Sequence, residues 1–220
     1  GMASHGGIIG VVIAMIIFSR RHQLPALHMI DMVALSCTPG LFLGRLANFV
    51  NGELWGKKLP DQWQSDPPWW SVKYPEEVQF TEIDFTTVQH HIGGQDTLAE
   101  GVVQALRSGD PLVTTEIVPQ LTAWWPSQFI QAISDGPILF LVLALVWWIP
   151  RRPGVVSASF LMAYGFLRVF TEMIRQPDEG VHLIAGLQRG QLLSVGMILL
   201  GIIMVFICAN RSVPRIGGLR

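Results

Sequence analysis

The sequence predicts an all-α integral membrane protein of about five transmembrane helices, with a polar head inserted between the second and third. Three observations lead there. Half of the 220 residues are apolar and only 14% are charged, a composition that belongs in a bilayer. Apolar runs recur at lengths near the roughly 20 residues needed to cross a ~30 Å hydrocarbon core. Charge is also segregated: residues 57–124 hold ten acidic and four basic side chains, while the rest of the chain holds six acidic and eleven basic ones.

The spans follow in order. The first run, Met2–Ser19, is short and apolar from Ile8 to Phe18. The second, Leu24–Asn51, contains Pro39-Gly40, so a broken or kinked helix is expected there. Ser127–Ile149, Val155–Met173 and Gly190–Ala209 complete the set. Arg20-Arg21, Arg151-Arg152 and the trio Arg211, Arg215 and Arg220 follow the first, third and fifth spans. Basic residues at span ends stay on the cytoplasmic side, which puts the acidic segment outside; Lys57-Lys58 is the one dissenting pair. The expected organisation is residues 1–56 for the first two spans and their loop, 57–124 for an extracytoplasmic head, and 125–220 for three C-terminal spans. Within the head, Leu98, Val102, Val103 and Leu106 are spaced for one face of a helix over Thr97–Ser108. Trp69-Trp70 and Trp124-Trp125 flank the head and suit an interfacial aromatic belt.

The residues that could do chemistry collect at the outer ends of these spans. Gly44–Gly56 reads Gly-Arg-Leu-Ala-Asn-Phe-Val-Asn-Gly-Glu-Leu-Trp-Gly. An arginine at the centre of a bilayer costs about 2.5–3.5 kcal/mol, so Arg45 is expected to face a polar cavity or a headgroup. Asn48, Asn51 and Glu53 follow it, His5 stands at the same end of the first span, and Ser127 and Gln128 open the third. Tyr164, Arg168 and Glu172 lie at i, i+4 and i+8 on one face of the fourth. Two guanidiniums facing one cavity make an anion site, because each presents a planar fork matched to phosphate oxygens. Asp31 and Asp135 are read as structural residues near span ends. Cys37 and Cys208 lie in apolar runs and read as packing residues. No metal-ligand or phosphate-loop motif is present, so no metal, cofactor or nucleic acid is expected.

Several ordered blocks resemble the prolipoprotein diacylglyceryl transferases of bacteria. Met2-Ala3-Ser4-His5-Gly6-Gly7 is similar to the family's His-Gly-Gly opening of a transmembrane helix, and Gly44–Gly56 is similar to its most specific signature. Pro126-Ser127-Gln128, Tyr164-Gly165-Phe166-Leu167-Arg168 with Glu172, Arg175-Gln176-Pro177-Asp178 and Gly190-Gln191-Leu192-Leu193-Ser194 resemble further family blocks. Departures are Trp125 where the family has His, and Ile130 and Gln131 where it has Tyr-Glu. Two spans that normally precede the His-Gly-Gly block have no counterpart in this sequence, so the chain is expected to be a piece of a longer protein.

The resemblance implies transfer of the diacylglyceryl group of phosphatidylglycerol to the lipobox cysteine of a prolipoprotein at the bacterial inner membrane, with the site on the periplasmic side. It implies catalytic roles for His5, Arg168 and Glu172, and lipid binding by Arg45, Asn48, Asn51, Glu53, Gly56, Tyr164 and Gln128. Two other readings stay open: an inactive lipid-binding fragment, and a lipid or solute transporter built on the same polar residues.

Overall fold

The computed structural model describes residues 4–92, 98–176 and 189–218; the side chains of Ser4, His5, Ile8 and Arg189 lie outside the described set. Among the described residues there are helices and turns but no strand, only isolated bridges. Four stretches there, Ala26–Val50, Ser127–Trp147, Val155–Glu172 and Gly190–Ala209, are long and apolar enough to cross a membrane. The first expected span is the helix α1, Ser4–Arg21, which is not among those four.

The chain forms two compact units. The first comprises Gly1–Leu46, Phe129–Met173 and Pro177–Arg220. Its second span is interrupted, but at Cys37 rather than at Pro39-Gly40: α2 covers Ala26–Ser36 and α3 covers Thr38–Val50. Pro39 therefore sits in the first turn of α3, where a missing N–H is tolerated. The carbonyl of Leu35, which residue 39 would have bonded in an unbroken helix, accepts instead from the Thr38 hydroxyl at 3.0 Å. The third span is also interrupted, which the sequence reading did not anticipate. Between α6, Ser127–Ile133, and α7, Leu139–Trp147, a π turn covers Ser134–Ile138 around Pro137, and the Leu139 N–H reaches back five residues to Ser134.

Helix α8, Val155–Glu172, begins at Gly154, which has no side chain to cap it. Asp31, buried on α2, does this from another helix, accepting from the N–H groups of Gly154 and Ser157 at 2.7 Å each. α9, Arg189–Ala209, runs along α8, with Gly165 and Gly201 where the two backbones come closest, the usual use of small residues in membranes. Leu139, Leu143 and Val156 are buried in this unit's core.

The second unit comprises Ala47–Gln128 and Ile174–Gln176. The amphipathic helix expected in the head is α4, Leu98–Ser108. It buries Val102 and Val103 against Val78, Val88, Val113, Ile117 and Leu121. α5, Pro111–Ile117, is capped by Asp110, whose carboxylate accepts from Leu112 and Val113. The flanking tryptophans differ in their surroundings. Trp69 is 95% exposed, whereas Trp124 bridges to Val72 and Lys58 and donates its indole N–H to Glu77, and Trp125 packs on Trp70.

Candidate functional site

The first unit brings four charged residues, Arg45, Asp135, Arg168 and Glu172, into one cluster. Arg45 on α3 donates Nε to Asp135 Oδ2 at 3.0 Å, with 13% of the arginine and 1% of the aspartate side chain exposed. Two local features bring them together across 90 residues. The π turn sets Asp135 inside the unit, and Gly136 lets α3 close in, since a Cβ there would stand 2.6 Å from the Cβ of Phe42. Phe42 is three residues before Arg45, on the same face of α3.

Arg168 on α8 is held differently. Its Nη2 pairs with Glu172 Oε1 at 2.9 Å and its Nη1 donates to the Tyr164 hydroxyl at 3.2 Å. Both pairings are i, i+4 along one helix face, as the spacing predicts. Arg168 and Glu172 lie near enough to Asp135 for their charges to act on it. Gly190, in the first turn of α9, faces the Glu172 carboxyl, 3.0 Å from where a Cβ would be. Among the described residues the cluster thus holds two guanidiniums and two carboxylates. Arg168 commits both terminal nitrogens, while Arg45 commits only Nε, and its terminal fork has no hydrogen-bond partner among the described residues.

The second unit holds the rest of the signature as a tight loop after α3. Gly52 and Leu54 both have left-handed backbones, with φ of 66° and 58°. Gly52 suits this; Leu54 does so at a cost of about 1–3 kcal/mol. The loop is pinned by side chains that open the third span. Gln128 Nε2 donates to the Glu53 carbonyl at 2.7 Å, and the Ser127 hydroxyl donates to the Leu54 carbonyl at 2.9 Å. The Tyr74 hydroxyl donates to Gln128 Oε1 at 2.7 Å, and the Trp55 ring stacks on Tyr74 at 4.7 Å. Burial raises the Tyr74 phenol to about 12, partly offset by the Gln128 hydrogen bond.

Each expected residue now has a position. Arg45, Tyr164, Arg168 and Glu172 meet in the first unit. Gln128 and Gly56 sit in the framework of the second: the Gln128 amide is engaged on both sides, and a Cβ at Gly56 would run into the Trp125 carbonyl. Asn48 is half-buried, Asn51 and Glu53 are exposed, and none of their side chains has a polar partner among the described residues. His5 lies on α1, but its side chain is outside the described set, as are Pro177 and Asp178. Asp135, read from the sequence as a structural residue near a span end, stands in the cluster as the partner of Arg45. It is nine residues into its span rather than near an end, and an aspartate beside Gly-Pro in an apolar run was the available signal.

A family model described as prolipoprotein diacylglyceryl transferase matches residues 1–207. A phosphatidylglycerol–prolipoprotein diacylglyceryl transferase of Bdellovibrio bacteriovorus is 32% identical over 248 residues, covering 99% of this chain and 69% of that protein. Proteins of the same name from Erwinia tasmaniensis and Rhodospirillum rubrum are each 35% identical over 98% and 97% of this chain. This chain spans 64% and 62% of their lengths, about two thirds of the relatives it matches.

Proposed function

The chain belongs to the prolipoprotein diacylglyceryl transferase family, and on that premise we propose that it carries the lipid-handling centre for diacylglyceryl transfer from phosphatidylglycerol to a prolipoprotein cysteine. In the balanced step, the cysteine sulfur attacks the glyceryl carbon that bears the phosphate ester. The C–S bond forms as the C–O bond breaks, glycerol phosphate leaves, and the thiol proton passes to a base. A thiol of ordinary pKa about 8.5 needs such a base or a cationic neighbour to react at neutral pH, and His5 is the candidate for that part.

The single observation that carries this reading is the state of Arg45. A guanidinium in a largely buried setting, anchored at Nε and with its terminal fork unpartnered among the described residues, suits two oxygens of a phosphodiester. Arg168, held by Glu172 and Tyr164, is the group proposed to meet negative charge as the glycerol phosphate departs, where preorganised donors act most strongly. In the second unit, Asn48, Asn51 and Glu53 offer polar side chains suited to a glycerol headgroup, and Gln128 and Gly56 keep their loop in shape. The distribution of Lys and Arg supports a bacterial cytoplasmic membrane setting with this chemistry on the outer side.

The test is reconstitution with phosphatidylglycerol and a lipobox peptide, read by intact mass. It is run on the chain alone and on the chain preceded by the N-terminal spans of a relative. A diacylglyceryl mass shift in either form, lost on Arg45→Ala, is expected. No shift in both forms, or undiminished transfer by Arg45→Ala, overturns the reading.

A further inference from the structure

We infer that Asp135 is a positioning residue that aims the Arg45 fork at the lipid phosphate, an inference resting on the reading of Arg45 above. An arginine side chain has several rotatable bonds and about 2 kcal/mol of rotamer entropy, so a guanidinium bound only by its stem samples many directions. Asp135 removes that freedom at the informative atom. Its Oδ2 takes Nε at 3.0 Å, which fixes the guanidinium plane and leaves both terminal nitrogens for a ligand. The aspartate can act as a fixed point because it is itself immobilised: 1% exposed, within a π turn, beside a glycine against which α3 packs.

The pair is also more than charge neutralisation. Asp135 Oδ1 and Ser134 Oγ are buried without a hydrogen-bond partner among the described residues. A carboxylate serving only to neutralise Arg45 would be expected to take the fork with both oxygens, the bidentate form that arginine and carboxylate prefer. Here one oxygen takes one nitrogen, and the fork stays open among the described residues. π turns in helices recur at functional sites, and this one places a carboxylate where a straight helix lacking the Pro137 N–H would not. The cost is a carboxylate with one unsatisfied oxygen in an apolar interior, retained at the one place where it directs a cation.

The experiment measures retention of phosphatidylglycerol against phosphatidylcholine by the chain in mixed-lipid nanodiscs, using native mass spectrometry, for five variants. At metal sites, removing the partner that orients a ligand typically costs about 10–100-fold in affinity, and a loss of that order is the yardstick for the orienting partner of a guanidinium. Asp135→Asn is therefore expected to lose that much phosphatidylglycerol preference, Asp135→Glu to recover most of it, and Arg45→Ala/Asp135→Asn to bind no worse than Arg45→Ala. Arg45→Lys keeps the ion pair but has no fork, and is expected to lose preference like Asp135→Asn. It also serves as the second variant should Asp135→Asn fail to accumulate. Unchanged or tighter binding by Asp135→Asn, additive losses in the double variant, or normal binding by Arg45→Lys overturns the positioning role while leaving the lipid reading intact. Unchanged preference in Arg45→Ala overturns both.

Discussion

Gln128→Leu should loosen the signature loop by an amount the hydrogen bonds allow to be worked out. The side chain is 1% exposed, and its amide takes two partners, the part-buried Glu53 carbonyl and the buried Tyr74 hydroxyl, at 2.7 Å each. Leucine fills nearly the same volume, so little cavity is added, but both partners lose their bond. Each buried polar group left unsatisfied costs about 1–3 kcal/mol, so the loop should be weakened by roughly 2–6 kcal/mol. A domain holds only about 5–15 kcal/mol in all. Leu54 gives the loop a further reason to open, because its left-handed backbone relaxes once the neighbouring carbonyl is released. Local opening is read most directly by amide exchange. The N–H groups of Lys57 and Trp125 close the loop, bonding to Ile174 and Lys57 at 2.8 and 3.0 Å. At 1.4 kcal/mol per tenfold, their exchange should accelerate between about 30-fold and 10⁴-fold. Gln128→Glu keeps an acceptor for Tyr74 but loses the donor to Glu53, and should fall between. Exchange at Lys57 and Trp125 unchanged within about threefold would mean that the loop holds itself and that Gln128 is incidental to it.

Two further outcomes are expected. Tyr74 is one of two tyrosines, so in Tyr164→Phe it alone reports phenolate absorbance. Its ionisation should come near pH 12 while the protein is folded, and the stability it contributes should be intact below about pH 10 and be lost as pH rises from there towards 12; ionisation near 10 in folded protein would contradict its burial. Gly136→Ala should destabilise and weaken phosphatidylglycerol binding by pushing α3 away at Phe42, whereas Gly40→Ala, with open space around it, should raise the melting temperature through up to about 1 kcal/mol of helix propensity; equal effects at the two sites would remove the packing argument.

Much of the architecture was legible because it rests on local pattern. Val155–Glu172 and Leu98–Ser108 come within a residue of the spans their apolar spacing predicts, and the i, i+4 placement of Tyr164, Arg168 and Glu172 fixes their pairing before any tertiary contact forms. Proline marks a disturbed helix but leaves its outcome open. Pro39 ended up inside the first turn of α3, with the break at Cys37, because Thr38 supplied the hydrogen bond that proline could not. Pro137 instead widened its helix into a π turn. The Arg45–Asp135 pair joins residues 90 apart, and no periodicity in a single sequence encodes such a partner. Gln128 is legible as a polar residue opening its span, but its place as the clamp of a strained loop depends on carbonyls whose directions follow from φ at Gly52 and Leu54.

The charge balance of the membrane cluster has a consequence for how it would work. Two guanidiniums against two carboxylates sum to zero, which makes the cluster tolerable among apolar helices, where a lone arginine is costly. A neutral cluster attracts a phosphate weakly at long range, so its affinity has to come from geometry: donors already aimed, with nothing to reorganise when the anion arrives. The two arginines divide that requirement. Arg45, tied at Nε, keeps its fork open and suits a phosphodiester before reaction. Arg168 has its terminal nitrogens on Glu172 and Tyr164, and suits a charge that appears only later. As the ester bond breaks, the leaving phosphate gains negative charge and competes more strongly with Glu172 and with the neutral Tyr164 hydroxyl for those donors. An interaction that strengthens as the bond breaks lowers the barrier, whereas one equally strong throughout would only hold the lipid. On this account the carboxylates set which arginine binds and which waits, and the same pairing that makes the cluster tolerable in a membrane also separates holding the lipid from helping it react.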